Sequence, residues 1–462
     1  MPTQRPISSV PISDITVGGF KSICEKQQVE IKPLTLLAGA NSSGKSSIMQ
    51  PVLLLKQTIE ADYDPGALLL DGPNAKFTSF DQFSCKGGVA GNSQFVVGTG
   101  LTNGMSTEIT FEKIPRKGIN VNETKYKLEG REYCLRLDMT SEEIAKMAKT
   151  VKDLDILKKS QLYYHITHAN KPFEYLNHKE NTINLKIFRD RCFLLPTSKL
   201  EVKGKYFWAN PLYYAIDYVT SSIHSMLRNI IHLPGLRGNP QRNYMMSASG
   251  PNFPGDFTNY VASVLYSWNS NKSEQKSKLE KMLNDLGLTN RVSVNQIDDS
   301  KLEIKVGRMP VDSKSKSKTK DMVSIADVGF GVSQTLPVLV ALLAAQKGRT
   351  VYIEQPEIHL HPRAQLAMAD MLIDAAKRGV NVIAETHSAM ILLGIKKRIA
   401  QGNIDPKLVK MHWFERNTGT GFTNITSVGF DRKGSYDADT PEDFGKVTMQ
   451  AQREYLDAAD GF

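Results

Sequence analysis

The chain has 462 residues, of which 40% are apolar and 23% charged, and its formal net charge is +10 at pH 7. This composition is typical of a soluble globular protein with room for two to three domains, and it excludes an intrinsically disordered chain. Residues 1–13 lack the apolar segment of a secretory signal, and no apolar run reaches the eighteen residues of a spanning helix. We therefore expect a cytoplasmic protein with no membrane association.

The four cysteines are far apart in the sequence and show no Cys-x-x-Cys spacing; they are Cys24, Cys85, Cys134 and Cys192. This distribution argues against a zinc site and against a disulfide framework. A reducing compartment is the natural setting for such a chain.

The first predicted element is an apolar strand, Leu34 to Ala38, which leads through a loop into a helical pattern from Ser47 to Thr58. The connecting segment has the spacing of a phosphate-binding loop, and its residues are Gly39, Ala40, Asn41, Ser42, Ser43, Gly44, Lys45, Ser46 and Ser47. Backbone N–H groups in such a loop, with the positive end of the following helix, form a cradle for phosphate oxygens. We predict that Lys45 reaches the terminal phosphates and that Ser46 ligates Mg²⁺. The alternative, a plain glycine turn before a helix, does not account for the full spacing.

The middle of the chain has a different character, without the heptads of a long coiled-coil arm. Strand-like segments are Gln94 to Val97, Glu108 to Phe111, Lys125 to Leu128 and Gln161 to Ile166, and helical segments are Ser141 to Lys159, Pro211 to Ile231 and Ser273 to Leu286. The lysine-rich stretch 312–320 cannot form a core, so we predict a flexible basic loop there. A flexible connector is favoured over a polyanion contact, although the net charge permits contact with nucleic acid.

Glycines and a serine precede an apolar helix predicted from Leu336 to Ala345. The candidate residues in this segment are Gly331, Ser333 and Gln334. The free N–H groups of a helix N-terminus and the Ser333 hydroxyl can hold an anion, although the segment alone is equally typical of a helix cap.

Two further apolar strands end in polar residues. Thr350 to Ile353 is followed by Glu354, a carboxylate in the position from which phosphate-loop enzymes take their second Mg²⁺ contact. Val380 to Ala384 is followed closely by His387, which should lie at the same carboxyl edge of the sheet. We favour a phosphate-sensing role for His387 over a structural one.

These elements, in this order, resemble the ABC-type ATPases of the RecF and SMC kind. The resemblance comprises the Phe20-Lys21-Ser22 leader, the phosphate loop, a signature-like segment at Gly329 to Gln334, the Walker B strand and the downstream His387. Within that group, three segments look like the corresponding sequences of the OLD-like bacterial ATPases. They are Ile353 to Pro362, Thr386 to Ser388 and Leu233 to Pro240.

The resemblance implies an α/β fold: an ABC-type ATPase with a split P-loop nucleotide-binding fold and a mixed α+β insertion between its lobes. We place the N-terminal lobe with Walker A at residues 1–88, the insertion at 89–320, and the lobe with signature, Walker B and His switch at 321–462. It also implies ATP and Mg²⁺ as ligands and a homodimer, or a higher homo-oligomer, that sandwiches ATP. In that dimer the phosphate loop of one protomer faces Ser333 of the other.

Many OLD-like proteins carry a fused nuclease or pair with a separate one in anti-phage systems such as Septu. About 75 residues follow His387, which is short for a Toprim nuclease domain. The resemblance therefore implies an ATPase that regulates a separate nuclease subunit in antiviral defence and phage resistance. The alternative is a DNA-repair or recombination ATPase of the RecF/SMC type that acts on DNA directly. A transporter subunit is disfavoured by the large insertion.

The residue after Glu354 departs from the family pattern. Most ABC-type ATPases have a glutamate there to polarise the attacking water, whereas this chain has Gln355. A glutamine orients water but cannot take its proton, and loss of a general base costs about 10²–10⁴ in rate. Glu357 serves instead if the turn at Pro356 swings it inward; the alternative is a carboxylate that caps the next segment. We predict slow ATP hydrolysis, with Glu354, Gln355, Glu357 and His387 as the catalytic set.

Two other features stay open at the level of sequence. Arg237 and Arg242 flank a Gly-Asn-Pro turn and are interpreted either as surface-loop residues or as contacts to nucleotide or nucleic acid. Asp437-Ala438-Asp439 has the spacing of paired metal carboxylates, but no apolar strand leads into it, which favours a polar turn.

Overall fold

The structure is a computed structural model. It describes residues 10–87, 93–151, 154–155, 183–197, 199–202, 205–208, 210–247, 250, 252–308, 321–437, 453–454 and 456–457. The predicted strand Gln161 to Ile166, the basic loop 312–320 and Asp439 lie outside these residues.

The chain forms two compact units, each assembled from two separate stretches. Unit 1 contains the residues up to Gln28 and Ser47–Arg228, and unit 2 contains Val29–Ser46 and the residues from Asn229 onward. These two units are defined by contacts in the folded chain. The three predicted domains, with boundaries at residues 88 and 320, are instead defined by motifs along the sequence. That division stays a prediction.

Unit 1 is built on a six-stranded sheet with the order β2-β1-β4-β5-β6-β7, in which β1 and β4 to β7 pair antiparallel. These strands are β1 (Ile12–Gly18), β2 (Gln27–Glu30), whose last two residues belong to unit 2, β4 (Gln94–Leu101), β5 (Ser106–Ile114), β6 (Gly118–Leu128) and β7 (Arg131–Leu135). Its inward positions alternate with half-buried ones, as expected for a sheet with one covered face.

Smaller sheets and three helices complete unit 1. The antiparallel pair β9–β10 and the three-stranded sheet β12-β11-β8 comprise β8 (Ile183–Asn184), β9 (Ile187–Asp190), β10 (Phe193–Pro196), β11 (Lys199–Val202) and β12 (Lys205–Trp208). The helices are α1 (Lys45–Glu60), whose first two residues belong to unit 2, α2 (Ser141–Thr150) and α3 (Pro211–Arg228), with a 3-10 turn at Phe80–Gln82.

Two cysteines of unit 1 correct an expectation from the sequence. Cys24 and Cys85 form a disulfide with their Cα atoms 5.4 Å apart, although 61 residues separate them. The chain brings them together because the Cys85 N–H donates to Gly19 O at 2.9 Å, beside the stacked rings of Phe20 and Phe83. Spacing along the sequence carries no information about this pairing. Cys134 and Cys192 are free.

Unit 2 contains a six-stranded sheet with the order β13-β18-β19-β3-β20-β21. Its strands are β3 (Leu34–Gly39), β13 (Ile230–Leu233), β18 (Thr350–Glu354), β19 (Asn381–Thr386), β20 (Val409–Arg416) and β21 (Thr423–Val428). All neighbours pair parallel except β20 and β21, which pair antiparallel. All six residues of β3 are buried, as expected for the apolar run of a parallel strand that is covered on both faces.

A second sheet of unit 2 is antiparallel and centres on β16. Its strands are β14 (Tyr244–Met245), β15 (Val292–Gln296), β16 (Lys301–Gly307) and β17 (Met322–Ser324). The helices are α4 (Val261–Ser270), α5 (Glu274–Asp285), α6 (Phe330–Ala344), α7 (Pro362–Lys377) and α8 (Ala389–Ala400), with 3-10 turns at Phe257–Tyr260, Ile325–Asp327 and Pro406–Leu408. Helix α6 is buried from Val332 to Leu343, so it is the central helix of the apolar core.

The predicted fold class, α/β with a split nucleotide-binding fold, is confirmed: one parallel sheet combines β3 from the N-terminal part of the chain with strands from its C-terminal part. The bounds of two helices differ from the prediction. Helix α6 begins at Phe330, not Leu336, because Gly329 with its extended backbone provides the N-cap. Helix α3 ends at Arg228, and Ile230 already belongs to β13.

Candidate functional site

The phosphate-loop segment connects the buried strand β3 to helix α1. Its backbone leaves the ordinary regions at Gly39 (φ 148°), Ser42 (φ 59°) and Gly44 (φ 99°). A Cβ atom at Gly39 would lie 2.3 Å from Phe414 O, so only glycine fits there. The chain therefore makes the sharp strand-to-helix turn that a phosphate cradle requires, with Ala40, Asn41 and Ser42 exposed at its tip.

Lys45, the first residue of α1, lies beneath this loop. Its side chain is buried, and its Nζ donates to Gly39 O at 3.1 Å and to Ala40 O at 2.6 Å. Burial lowers the pKa of Lys45, although the charges of Glu385 and Glu357 act in the opposite direction. The ammonium group is thus held between the loop and an acidic surface.

That acidic surface is the carboxyl edge of the central sheet. Glu354 ends β18 and is the register partner of Glu385 on β19. Glu385 Oε1 accepts from Ser46 Oγ at 2.8 Å, and its Oε2 accepts from Tyr352 Oη at 2.9 Å. Burial and the neighbouring charge of Glu354 raise the pKa of Glu385.

Glu354 has different partners. One oxygen lies 3.1 Å from His232 Nε2, and the other accepts from the Gly235 N–H at 3.1 Å. Burial alone would raise the pKa of Glu354, but the His232 hydrogen bond and the Gly235 N–H outweigh it, so the pKa lies below its usual range. His232 is available because β13 pairs it with Tyr352, on which its ring stacks at 5.3 Å.

The turn after Glu354 brings together the other predicted catalytic residues. Gln355 has a φ of 47°, a left-handed conformation that is uncommon for glutamine, and its N–H donates to Glu385 O at 2.7 Å. Glu357 is buried, and its Oε1 accepts the His387 N–H at 3.0 Å and lies 4.0 Å from His387 Nδ1. Glu357 Oε2 and His387 Nδ1 are buried atoms without a hydrogen-bond partner.

The signature-like residues lie in the first turns of α6. Ser333 Oγ donates to Phe330 O at 3.2 Å, and Gln334 Nε2 donates to Gly238 O at 2.8 Å. A Cβ atom at Gly331 would lie 3.4 Å from His359 O, so this helix start packs closely on the turn after β18. Ser333 is 8% exposed and borders a pocket of about 690 Å³ with Arg237 and Leu336.

The sequence allows two interpretations of Arg237, and the structure shows that the surface-loop interpretation is wrong. Its side chain is buried and donates to Glu354 O at 2.6 Å, Gln355 O at 3.2 Å and Gln334 O at 3.3 Å. Burial lowers the pKa of Arg237 to about 10, against the opposing charge of Glu354. Arg242 does lie at the surface, where it pairs with Asp327.

Sequence reasoning missed Glu385, Tyr352 and His232 as members of the site. Glu385 stands at a strand end two residues before His387, which is a signal that could have identified it. Tyr352 and His232 carry no such signal. They reach the site only because β13 aligns beside β18, and Ile230 and Ile231 read as the end of a helix in the sequence.

The residues present fit a nucleoside triphosphate with Mg²⁺. Ser43 Oγ, inside the loop, is a third buried polar atom without a partner, and the loop offers N–H groups and a cation to phosphate. Ser46 and the carboxylates of Glu354 and Glu385 supply the oxygen ligands that Mg²⁺ prefers. A metal that is held partly by phosphate needs few protein ligands. Within the described part of the chain, no group of three or more His, Cys, Asp or Glu residues suits a metal ion.

One comparison, with protein-family models, agrees with the type of site. Residues 256–392 match the family model described as AAA ATPase domain, and this stretch contains the predicted signature and Walker B residues and His387. No curated protein matches the chain. Among the described residues, no helix is long and apolar enough to cross a membrane.

Three solved structures are similar to this chain at low identity. One is the Smc head bound to the C-winged helix domain of ScpA, at 13% identity and a TM-score of 0.42, covering 91% of this chain and 98% of that one. A second, from Pyrococcus furiosus, is the Smc head domain with an extended coiled coil bound to the C-terminal domain of ScpA. Its identity is 15% and its TM-score 0.40, and the match covers 91% of this chain and 96% of that one. The third is the SMC head domain from Thermotoga maritima. Its identity is 12% and its TM-score 0.36, and the match covers 90% of this chain and 98% of that one.

Proposed function

We propose that this chain is an ATP-binding, slowly hydrolysing ABC-type ATPase that dimerises around ATP and regulates a nuclease partner in bacterial anti-phage defence. One observation carries the ATPase part: the loop with Lys45, the acidic residue Glu354, and the pair Glu357 and His387 all meet at the carboxyl edge of one parallel sheet. The match of residues 256–392 to an ATPase domain supports it.

Each residue then has a distinct task. Lys45 and the loop N–H groups hold the terminal phosphates, and Ser46 and Glu354 hold Mg²⁺, which neutralises phosphate charge when it is bound. Gln355 orients the attacking water but takes no proton. Glu357 accepts that proton on Oε2, the carboxylate oxygen that has no partner, and His387 contacts the terminal phosphate through Nδ1.

Slow hydrolysis makes ATP a long-lived ligand. If Ser333 of a second protomer completes the site, ATP favours the dimer by mass action. Light scattering after size exclusion tests this: we expect a dimer with ATP and a monomer without nucleotide. The control is Lys45→Ala, which should stay monomeric with ATP because it does not bind it. A wild-type mass that ATP leaves unchanged would contradict the proposal.

The regulatory part rests on the OLD-like resemblance and is tested separately. Capture from the native host with tagged wild-type protein, with and without ATP, should retain a nuclease only when the dimer forms. The Lys45→Ala protein serves as the matched bait and should not retain it. Retention of DNA alone, with no nuclease, would favour the alternative of a repair or recombination ATPase.

A further inference from the structure

Glu385 occupies the point where the phosphate loop meets the edge of the sheet. It lies on β19, the strand directly between β3, which carries the loop, and β18, which carries Glu354. Glu385 is 5% exposed, and its carboxylate accepts from the Ser46 hydroxyl at 2.8 Å. It is therefore the carboxylate that directly contacts the serine that is expected to ligate Mg²⁺.

Glu354 has other partners in the protein, although each of its oxygens keeps a second lone pair for a metal. Both of its oxygens are engaged, one by His232 Nε2 and one by the Gly235 N–H, each at 3.1 Å. These contacts hold the carboxylate toward β13, on the side of β18 away from β19. The hydrogen bond to Ser46 is made by Glu385 instead.

We propose that Glu385 orients Ser46 toward Mg²⁺ and so completes the metal site, a positioning task that is separate from that of Glu354. A serine hydroxyl has one O–H donor and two acceptor lone pairs. Donation of the O–H to Glu385 leaves both lone pairs of Ser46 Oγ for the metal. Tyr352 Oη fixes the second carboxylate oxygen at 2.9 Å, so the orientation is set before the metal arrives.

This inference rests on the proposed ATP site, and its test uses binding, not turnover. The affinity of the full chain for a fluorescent ATP analogue is measured with Mg²⁺ and with EDTA, and Mn²⁺ binding is followed by electron paramagnetic resonance. Glu385→Gln should weaken the metal-dependent affinity by about 10- to 100-fold, the usual loss when an outer-shell partner is removed. Its affinity in EDTA should match the wild type.

A double-mutant cycle identifies the partner. Because Glu385 acts through Ser46, the double variant with Ser46→Ala should lose no more metal-dependent affinity than Ser46→Ala alone. Tyr352→Phe should give a smaller loss in the same measurement. Glu415 is an exposed carboxylate on β20 of the same sheet. Glu415→Gln is therefore the matched control and should behave as wild type.

Either of two results would overturn the inference: unchanged metal dependence in Glu385→Gln, or losses that add fully in the double variant. Folding of each variant is checked by thermal melting, because Glu385→Gln also removes one of the two carboxylate oxygens that accept from Ser46 and Tyr352. Tight ATP binding by Lys45→Ala would refute the ATP site itself, whereas normal metal dependence in Glu385→Gln would refute only this role.

Discussion

At the scale of single residues, the turn after β18 is held by one buried cation. Gln355 has left-handed backbone angles, which cost about 1–3 kcal/mol for a residue other than glycine and persist only where the surroundings fix them. Arg237 supplies that constraint through the carbonyl oxygens of Glu354 and Gln355, and its contact to Gln334 O connects the turn to α6. Gln355 and helix α6 therefore share one support.

Removal of this support should destabilise the fold. Arg237→Ala removes a charged donor from three carbonyl oxygens, of which Gln355 O keeps the Ile358 N–H, and a hydrogen bond to a charged group contributes about 1.5–3 kcal/mol. We expect a loss of about 3 kcal/mol or more in the free energy of unfolding, measured by urea denaturation. Arg237→Lys should recover only part of it, because an ammonium lacks the fork of a guanidinium.

Arg242→Ala is the matched control for this experiment. Arg242 lies five residues away and pairs with Asp327 at the exposed surface. Exposed pairs contribute about 0–1 kcal/mol. Equal losses in the two alanine variants would show that Arg237 is not the support.

Gln355 is also the residue on which the proposed slow turnover depends. In Gln355→Glu a carboxylate occupies the usual base position, so we expect the rate of phosphate release to rise, by up to about 10²-fold. Glu357→Gln in the otherwise wild-type chain should lower the slow rate of phosphate release, since Oε2 of Glu357 is the proposed proton acceptor. If Gln355→Glu hydrolyses no faster and Glu357→Gln no slower, neither residue has the assigned role.

At the scale of secondary structure, β20 carries a buried histidine that makes unit 2 sensitive to acid. His412 Nε2 lies 2.7 Å from Glu30 O and Nδ1 lies 2.8 Å from Ser427 Oγ. Burial lowers the pKa of His412 from 6.5 to about 4, with a smaller contribution from the charge of Lys410. The unfolded chain therefore binds this proton at a higher pH than the folded chain does.

Stability should then fall as the pH drops from 6.5 toward 4, because the unfolded state takes up the proton first. These pKa values correspond to a loss of about 2 kcal/mol at pH 5 relative to neutral pH. Urea denaturation at a series of pH values measures the slope. His412→Gln removes the titrating group and should flatten that slope; an unchanged slope would assign the acid sensitivity to other groups.

The elements show how far the sequence predicts this site. Strands β3, β18 and β19 and helix α1 follow from apolar runs and the loop motif, and they place Lys45 at the sheet edge. Strand β13 does not follow, because Ile230 and Ile231 continue the apolar pattern of α3 and only pairing with β18 makes them a strand. The contact of Ser46 with Glu385 depends on strand order, which a single sequence does not contain. The Cys24–Cys85 disulfide was missed for the same reason.

At the scale of the whole molecule, the net charge of +10 bears on the choice between the two proposed functions. A chain that regulates a separate nuclease needs no sequence-independent grip of its own on DNA. We expect the isolated protein to bind duplex DNA only at the ordinary non-specific level, with a Kd of about 10⁻⁴–10⁻⁶ M at physiological salt. Fluorescence anisotropy across a salt series measures this. Nanomolar affinity with a steep negative slope of log K against log salt would favour the DNA-acting alternative.

The central position of β3 also has a consequence for synthesis. Its partners in the sheet are β19 and β20, and β20 begins at Val409, about 370 residues after β3 ends. At translation rates of about 5–20 residues per second, β3 has left the ribosome for about 20–70 s before both neighbours exist. During that interval a mostly apolar strand lacks its neighbours, so we expect the nascent chain to expose a segment that is prone to aggregate. The contact between Ser46 and Glu385 forms only after β19 has been synthesised, so the proposed nucleotide site is incomplete in a chain that has not reached this strand.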